Sequence, residues 1–295
     1  MNSLTVYALA LGANLTFSTS SMVFSIFATR FSSFWMNQLK VAVAFVAFVI
    51  AMFVTDQFVP IKMEAVGFLF LSGFFGLCLG DILLFRAYTT LGAGRSLVLF
   101  SMQPLMLGLY GYFFLAQVFS SHQVLAVICM IACVFIFMLE RNKMTGSWDL
   151  QSFIWALSGI TLDAGGVMLT RHSYEISPGL ETFQVNVIRC MGALVGYFIL
   201  KPKNHLVILN DLKTLTRKEK TLLFSSIIFG CFVSLTLYLA AVKHAHVGTL
   251  TALSITGPIW VSLLECLYYR RLPNRYLVAA FSVFLVGFYF MALSA

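Results

Sequence analysis

Ten apolar stretches, each long enough to cross a bilayer as a helix, follow one another along this chain. About 20 apolar residues span the hydrocarbon core as an α-helix, and backbone groups in lipid must bond within the structure, so runs of this length are compatible only with helices. The sequence therefore predicts an all-α integral membrane protein with ten transmembrane helices. The predicted spans are residues 3–28, 33–54, 64–90, 94–117, 121–139, 150–173, 178–200, 217–243, 247–269 and 274–293.

Composition supports the same fold class. Sixty per cent of the 295 residues are hydrophobic and 10% are charged, whereas a soluble domain has about a quarter of its residues charged. The formal net charge is +8, but the basic residues lie between apolar runs and not on one domain. We therefore expect membrane lipid as a partner and no nucleic acid.

Cysteine and histidine give no metal or cofactor pattern. The six cysteines lie inside apolar runs without zinc-like spacing. His244 and His246 are two residues apart and so point to different helix faces. No nucleotide-binding loop, metalloprotease motif or nucleophile elbow is present. We accordingly predict no catalytic residues, metal or cofactor.

Loop charges predict the orientation. Lysine and arginine concentrate in the odd-numbered loops, which places these loops in the cytoplasm and both termini outside a cell (inner) membrane. The odd loops and their flanks hold Arg30, Arg95, Arg141, Lys143, Lys201, Lys203, Lys213, Arg217, Lys218, Lys220, Arg270, Arg271 and Arg275. The even loops hold little beyond Lys62, Arg171 and Lys243. The one long loop, 201–216, could be a short helix on the membrane surface or a disordered segment.

The two halves of the chain align with each other. A shift of 154 residues places Pro104 on Pro258 and Gly76-x-x-x-Gly80 on Gly230-x-x-x-Ser234, both of which are small-x-x-x-small faces. Earlier in each half a shift of 149 aligns FWMNQLK at 34–40 with FQVNVIR at 183–189. Because each half has an odd number of spans, five, the second half enters the membrane from the opposite side to the first. We therefore predict two inverted five-helix repeats, residues 1–146 and 147–295. Many secondary transporters have this architecture.

Helices 3–5 carry a family resemblance. A small-residue helix, an alanine-leucine turn and a helix interrupted by Ser101-Met102-Gln103-Pro104, with a second copy at Ile255-Thr256-Gly257-Pro258, resemble the drug/metabolite transporter (DMT) superfamily, EamA type. The resemblance implies a multi-pass transporter, and export as the direction. Two features differ from the family: its Gly-Glu pairs are replaced by Ala116-Gln117 and Arg270-Arg271, and its termini are usually cytoplasmic.

Two aspartates inside spans are the leading candidates for substrate binding. Charged groups within a span are costly and usually face a cavity. Asp81 and Asp163 each lie near the middle of a span and could bind a cationic group or a coupling proton. Asp81 could instead pair with Arg86 or with a neighbouring helix, although a separation of five residues disfavours the pair with Arg86.

Further candidates lie on the surrounding helices. Asn14 could line the pathway or bond a neighbouring helix, and Gln103 precedes Pro104, which with Pro258 is a predicted helix kink. Tyr238 and Trp260 could hold an organic cation or simply pack. The cations Lys40 and Arg189 could reach the headgroups or close one end of the pathway.

These features favour a secondary transporter, and not an enzyme, that exports a small organic solute by alternating access between the repeats. The aspartates favour a substrate with a positive group, such as an amino acid, an amine or a related metabolite. A monomer or a homodimer is expected. A membrane-embedded enzyme that uses Asp81 and Asp163, or a passive channel, are the alternatives.

Overall fold

The structure is a computed structural model that describes residues 3–100, 102–103, 106, 109–110, 121–146, 150–244, 256–270 and 272–293. The helices of the first half are α1 (Ser3–Arg30), α2 (Ser33–Val54), α3 (Met63–Ser72), α4 (Asp81–Leu91), α5 (Ala93–Phe100) and α6 (Ser121–Thr145). Those of the second half are α7 (Leu150–Ile176), α8 (Thr182–Leu200), α9 (Asn204–Thr214), α10 (Arg217–Ile227), α11 (Ser234–His244), α12 (Thr256–Tyr269) and α13 (Arg275–Leu293).

Two π-helical segments lie inside long helices. The first π segment, Gly73–Gly80, joins α3 to α4, and the second, Ile228–Val233, joins α10 to α11. Each therefore lies in the middle of a continuous helix, the third span (Met63–Leu91) and the span Arg217–Ala241. π-helical turns inside α-helices occur frequently at functional sites.

Six described helices are long and apolar enough to cross a membrane: Ala8–Arg30, Ser33–Val54, Met63–Leu91, Leu150–Ile176, Thr182–Leu200 and Arg217–Ala241. Val124–Glu140 and Arg275–Phe290 are shorter apolar helices. The chain is thus helical and consistent with a membrane protein. The number ten stays a prediction, because predicted spans 4 and 9 include residues outside the described part.

The outward-facing surface is apolar, as the composition requires. Large apolar side chains such as Phe53, Val54 and Phe198 are more than half exposed although they belong to long helices. In water such surface would drive association. Lipid tails are the environment in which it is stable.

The ends of the helices differ in detail from the expected spans. Residues 204–214 form α9, so the long loop contains a helix and is not a disordered segment. Helix α8 begins at Thr182 and not at 178, because the chain first makes a turn in which Leu180 N–H donates to the Ser177 carbonyl at 3.1 Å. Thr216 and Glu219 form a capping box at the start of α10.

Glycines let the third span approach its neighbours at backbone distance. A Cβ built on Gly73 would lie 1.7 Å from the Arg189 carbonyl oxygen, and one on Gly192 would lie 2.0 Å from the Phe70 oxygen. On the opposite side, the Gly76 and Gly80 face packs against α7, where a Cβ on Gly159 would lie 2.8 Å from the Gly80 oxygen. Small residues that allow this approach stabilise helix pairs in lipid.

The second small-residue face packs in the same manner against α1. A Cβ on Gly230 would lie 2.2 Å from the Ser20 Cβ, and Ser234 Oγ donates to the Ala13 carbonyl at 3.1 Å. The third span therefore packs closely on α7 and α8, and the second π segment packs on α1. The contacts of the third span bring the start of α4 close to α7 and α8 in the interior.

Candidate functional site

Four charged side chains from four different helices meet in the interior. Lys40 lies on α2, Asp81 at the start of α4, Asp163 on α7 and Arg189 on α8. Lys40, Asp81 and Arg189 are 5%, 7% and 2% exposed, and Asp163 is half-buried. Asp163 interacts electrostatically with the other three. We call these four residues the charge cluster.

Lys40 and Asp81 form a buried ion pair. Lys40 Nζ lies 2.5 Å from Asp81 Oδ2. The same ammonium lies 4.6 Å from the centre of the Phe85 ring, one turn after Asp81 on α4, where a cation is attracted to the ring face. Asp81 therefore pairs with a residue on a neighbouring helix and not with Arg86. The Arg86 guanidinium lies instead 5.6 Å from the Trp155 ring centre.

Asp163 is held by the side-chain amide of Gln103, which follows α5. Gln103 Nε2 donates to Asp163 Oδ2 at 2.5 Å. A Cβ on Gly76 would lie 3.4 Å from Asp163 Oδ1, so the carboxylate is packed directly against the first π segment. The glycine face of the third span is therefore what makes space for this carboxylate at the interface with α7.

In the part of the chain that the structure describes, Arg189 is anchored through its Nε. Its Nε donates to Ser72 Oγ at 3.0 Å. Ser72 Oγ is in turn 2.7 Å from the Gly166 carbonyl oxygen and 2.7 Å from Thr170 Oγ1. Arg189 Nη1 is buried and has no hydrogen-bond partner in the described part of the chain. The guanidinium is thus oriented from its Nε side.

Two buried asparagines lie one turn before the two cations. Asn37 and Asn186 are fully buried, and neither side-chain amide has a hydrogen-bond partner among the described residues. Buried polar groups of this kind are rare and need an explanation. The shared pattern F-x-x-N-x-x-[KR] contained both residues, but they were not predicted as site residues. Ser72 and Thr170 were also missed, because single hydroxyls in apolar stretches carry no sequence signal.

The other candidates lie at different distances from the charge cluster. Tyr238 is half-buried and interacts electrostatically with Asp163 and Arg189. Asn14 is half-buried on α1. Trp260, on α12, also contacts α1, because its Nε1 donates to Thr19 Oγ1 at 3.0 Å. Lys40 and Arg189 are buried in the interior. Of the proposed kinks, Pro104 lies outside the described residues, and Pro258 lies in α12 near the start of its described range.

The arrangement is suited to binding a charged solute or a proton. Two cations and two carboxylates give the charge cluster a formal net charge of zero. A charged ligand group can therefore replace one member as the partner of another without leaving a large net charge in lipid. Within the described ranges, no three histidine, cysteine, aspartate or glutamate side chains are grouped so that they could hold a metal ion.

Comparison with known proteins gives a family match over part of the chain and a likeness of fold. Residues 4–139 match the model of the EamA-like transporter family. A solved structure, titled only as the crystal structure of a protein, has a TM-score of 0.65 and 13% identity over 98% of this chain and 97% of that one. This second likeness concerns the fold alone. No curated protein matches the chain significantly.

Proposed function

We propose that this multi-pass membrane protein is a secondary transporter of a small organic solute. Residues 4–139 match the model of the EamA-like transporter family, which belongs to the drug/metabolite transporter superfamily. Amino acids, amines and related metabolites are the solute classes, the cell (inner) membrane is the location, and export is the direction. The observation that carries the proposal is the charge cluster, since three buried charges and one half-buried charge among membrane helices are costly unless they serve a pathway.

Ten spans in two inverted repeats, residues 1–146 and 147–295, are the architecture we propose. The π segments support it, because Gly76 in the first and Gly230 in the second are the residues that the shift of 154 aligns. Their partners also correspond. The first π segment packs on α7, which opens the second half, and the second packs on α1, which opens the first half.

Alternating access would rock one repeat against the other around the charge cluster. Asp81, Asp163, Gln103 and Tyr238 would contact the solute, while Asn14 and Trp260 would line the approach along α1. Lys40 and Arg189 would bound the pathway from α2 and α8. A coupling proton would be carried by one of the two aspartates, because a carboxylate in this environment exchanges a proton for a cationic partner.

Counterflow tests the proposal. The purified protein would be reconstituted into liposomes and assayed with a panel of radiolabelled amino acids and amines, with protein-free liposomes as the control. A carrier gives saturable uptake that is accelerated by unlabelled solute on the other side. Linear flux without such acceleration would indicate a channel, and chemical conversion of the solute would indicate an enzyme; either result would contradict the proposal.

A further inference from the structure

Lys40 and Arg189 occupy equivalent positions of the repeated pattern, but among the described residues only Lys40 has an ion-pair partner. Each follows a buried asparagine by three residues, and each is at most 5% exposed. Lys40 has a carboxylate partner at 2.5 Å, whereas the described contacts of Arg189 include one neutral hydroxyl and no ion pair. The two cations thus have equivalent positions in the repeated pattern but differ in their ionic partners. We ask what role this difference gives to Arg189.

A buried guanidinium without an acid partner is unfavourable in the empty protein. Charged groups out of water are stable only when they are paired and hydrogen-bonded. Asp163 is close enough to interact electrostatically, yet its Oδ2 accepts from Gln103 and it forms no ion pair with Arg189 in the described structure. Arg189 Nη1 therefore keeps an unused donor at full burial.

Asn186 supplies a second unused donor at the same place. It precedes Arg189 by three residues on α8, so both side chains lie on one face of the helix. Its Nδ2 is buried and without a partner among the described residues. Asp163 and Tyr238, which both interact electrostatically with Arg189, are half-buried, and Ser72 Oγ accepts the hydrogen bond from Arg189 Nε.

We propose that Arg189, with Asn186 beside it, binds a carboxylate group of the transported solute. The planar guanidinium matches a carboxylate in geometry and charge. The inference rests on the proposed transport function and narrows its substrate class to carboxylate-bearing solutes, namely amino acids or organic acids, and excludes simple amines. A monoanion suits the site better than a phosphate dianion, because Asp163 and Asp81 lie nearby.

Matched ligands test the class of substrate. Thermal-shift titrations of the purified protein would use triplets built on leucine and on phenylalanine: the amino acid, the acid without the amino group, and the amine without the carboxylate. A ligand that binds only the folded state raises the melting temperature. We expect stabilisation by carboxylate-bearing members and none by the amines. The inference would be overturned if only the amines or only inorganic phosphate stabilised the protein, or if none of the carboxylate-bearing ligands did.

Three variants test the residue, first without ligand and then by carboxylate binding. Arg189→Met removes an unpaired buried charge and should leave the melting temperature of the empty protein unchanged or higher, whereas the matched Lys40→Met strands Asp81 and should lower it. Arg189→Met should also weaken carboxylate binding by about 10- to 100-fold, and Arg189→Lys should restore only part of it. An equal fall in melting temperature for both methionine variants, or carboxylate binding that survives Arg189→Met, would contradict the proposal.

The inference and the proposed function can fail separately. If counterflow is observed only for amines and is unaffected by Arg189→Met, the protein is a transporter and the inference is wrong. If carboxylates stabilise the protein through Arg189 but no solute shows counterflow, the binding site stands and the transport function is wrong.

Discussion

Lys40 on α2 and Asp81 at the start of α4 form an ion pair, with 2.5 Å between Nζ and Oδ2, in the interior of the helix bundle. Neither residue has an alternative ionic partner on its own helix in the described structure. The pair therefore joins α2 to the third span through charge as well as through packing. Its stability depends on both members, because removing either one leaves the other charge buried without its partner.

The first prediction concerns the Lys40–Asp81 pair. Asp81→Asn keeps the size of the side chain but leaves the ammonium of Lys40 unpaired, and Lys40→Met leaves the carboxylate unpaired. Breaking a buried pair in this way costs about 3–5 kcal/mol, so each single variant should lower the melting temperature and the folded yield. The double variant Lys40→Met/Asp81→Asn removes both charges and should recover most of the loss.

Transport measured per folded molecule separates structure from function in the same variants. If Asp81 contacts the solute or the coupling proton, uptake should stay abolished in the double variant although its stability has recovered. Normal uptake by the double variant would show that the pair is structural. A double variant as unstable as the singles would instead contradict the coupling between the two side chains.

The second prediction concerns the glycines of the third span. Gly73→Ala would place a methyl group 1.7 Å from the Arg189 carbonyl oxygen, and Gly80→Leu would force apart the contact with Gly159 on α7. Both should sharply reduce the yield of monodisperse protein in detergent. Gly67→Ala on α3 is the control, because nothing lies within 4 Å of its Cβ position. Normal yield for Gly73→Ala would mean that the first π segment and α8 do not approach at backbone distance.

The third prediction separates proton coupling from solute binding at Asp163. Asp163→Asn keeps the shape of the side chain and removes its ability to take up a proton, while Gln103 can still bond the remaining amide oxygen. We expect uptake driven by a pH gradient to be lost and counterflow at equal pH to persist. Loss of both activities with unchanged melting temperature would assign Asp163 to solute binding, and no effect on either would remove it from the site.

The fourth prediction concerns orientation. Asn210 is exposed on α9, which lies in a loop that the positive-inside rule places in the cytoplasm. A cysteine at this position, in a background without the native cysteines, should resist an impermeant maleimide in intact cells and react after permeabilisation. Labelling in intact cells would show that the loop is external and that both termini are cytoplasmic.

Local features of the sequence anticipated much of the helical organisation. Uninterrupted apolar runs predicted the helices because lipid leaves the backbone no other way to satisfy its hydrogen bonds. Gly76 and Gly80 predicted a close helix contact for the same kind of local reason, since only small side chains let helices approach. Asp81 and Asp163 were identifiable because a charge within an apolar run is conspicuous.

The pairing of side chains was decided by the tertiary structure alone. Lys40 lies 41 residues before its partner Asp81, and Arg189 lies 117 residues from Ser72. No local spacing encodes which helices touch or at what depth. The repeated F-x-x-N-x-x-[KR] pattern made Lys40 and Arg189 equivalent in sequence, and only the packing of α2 and α8 against the third span gave one cation a carboxylate and left the other with a serine.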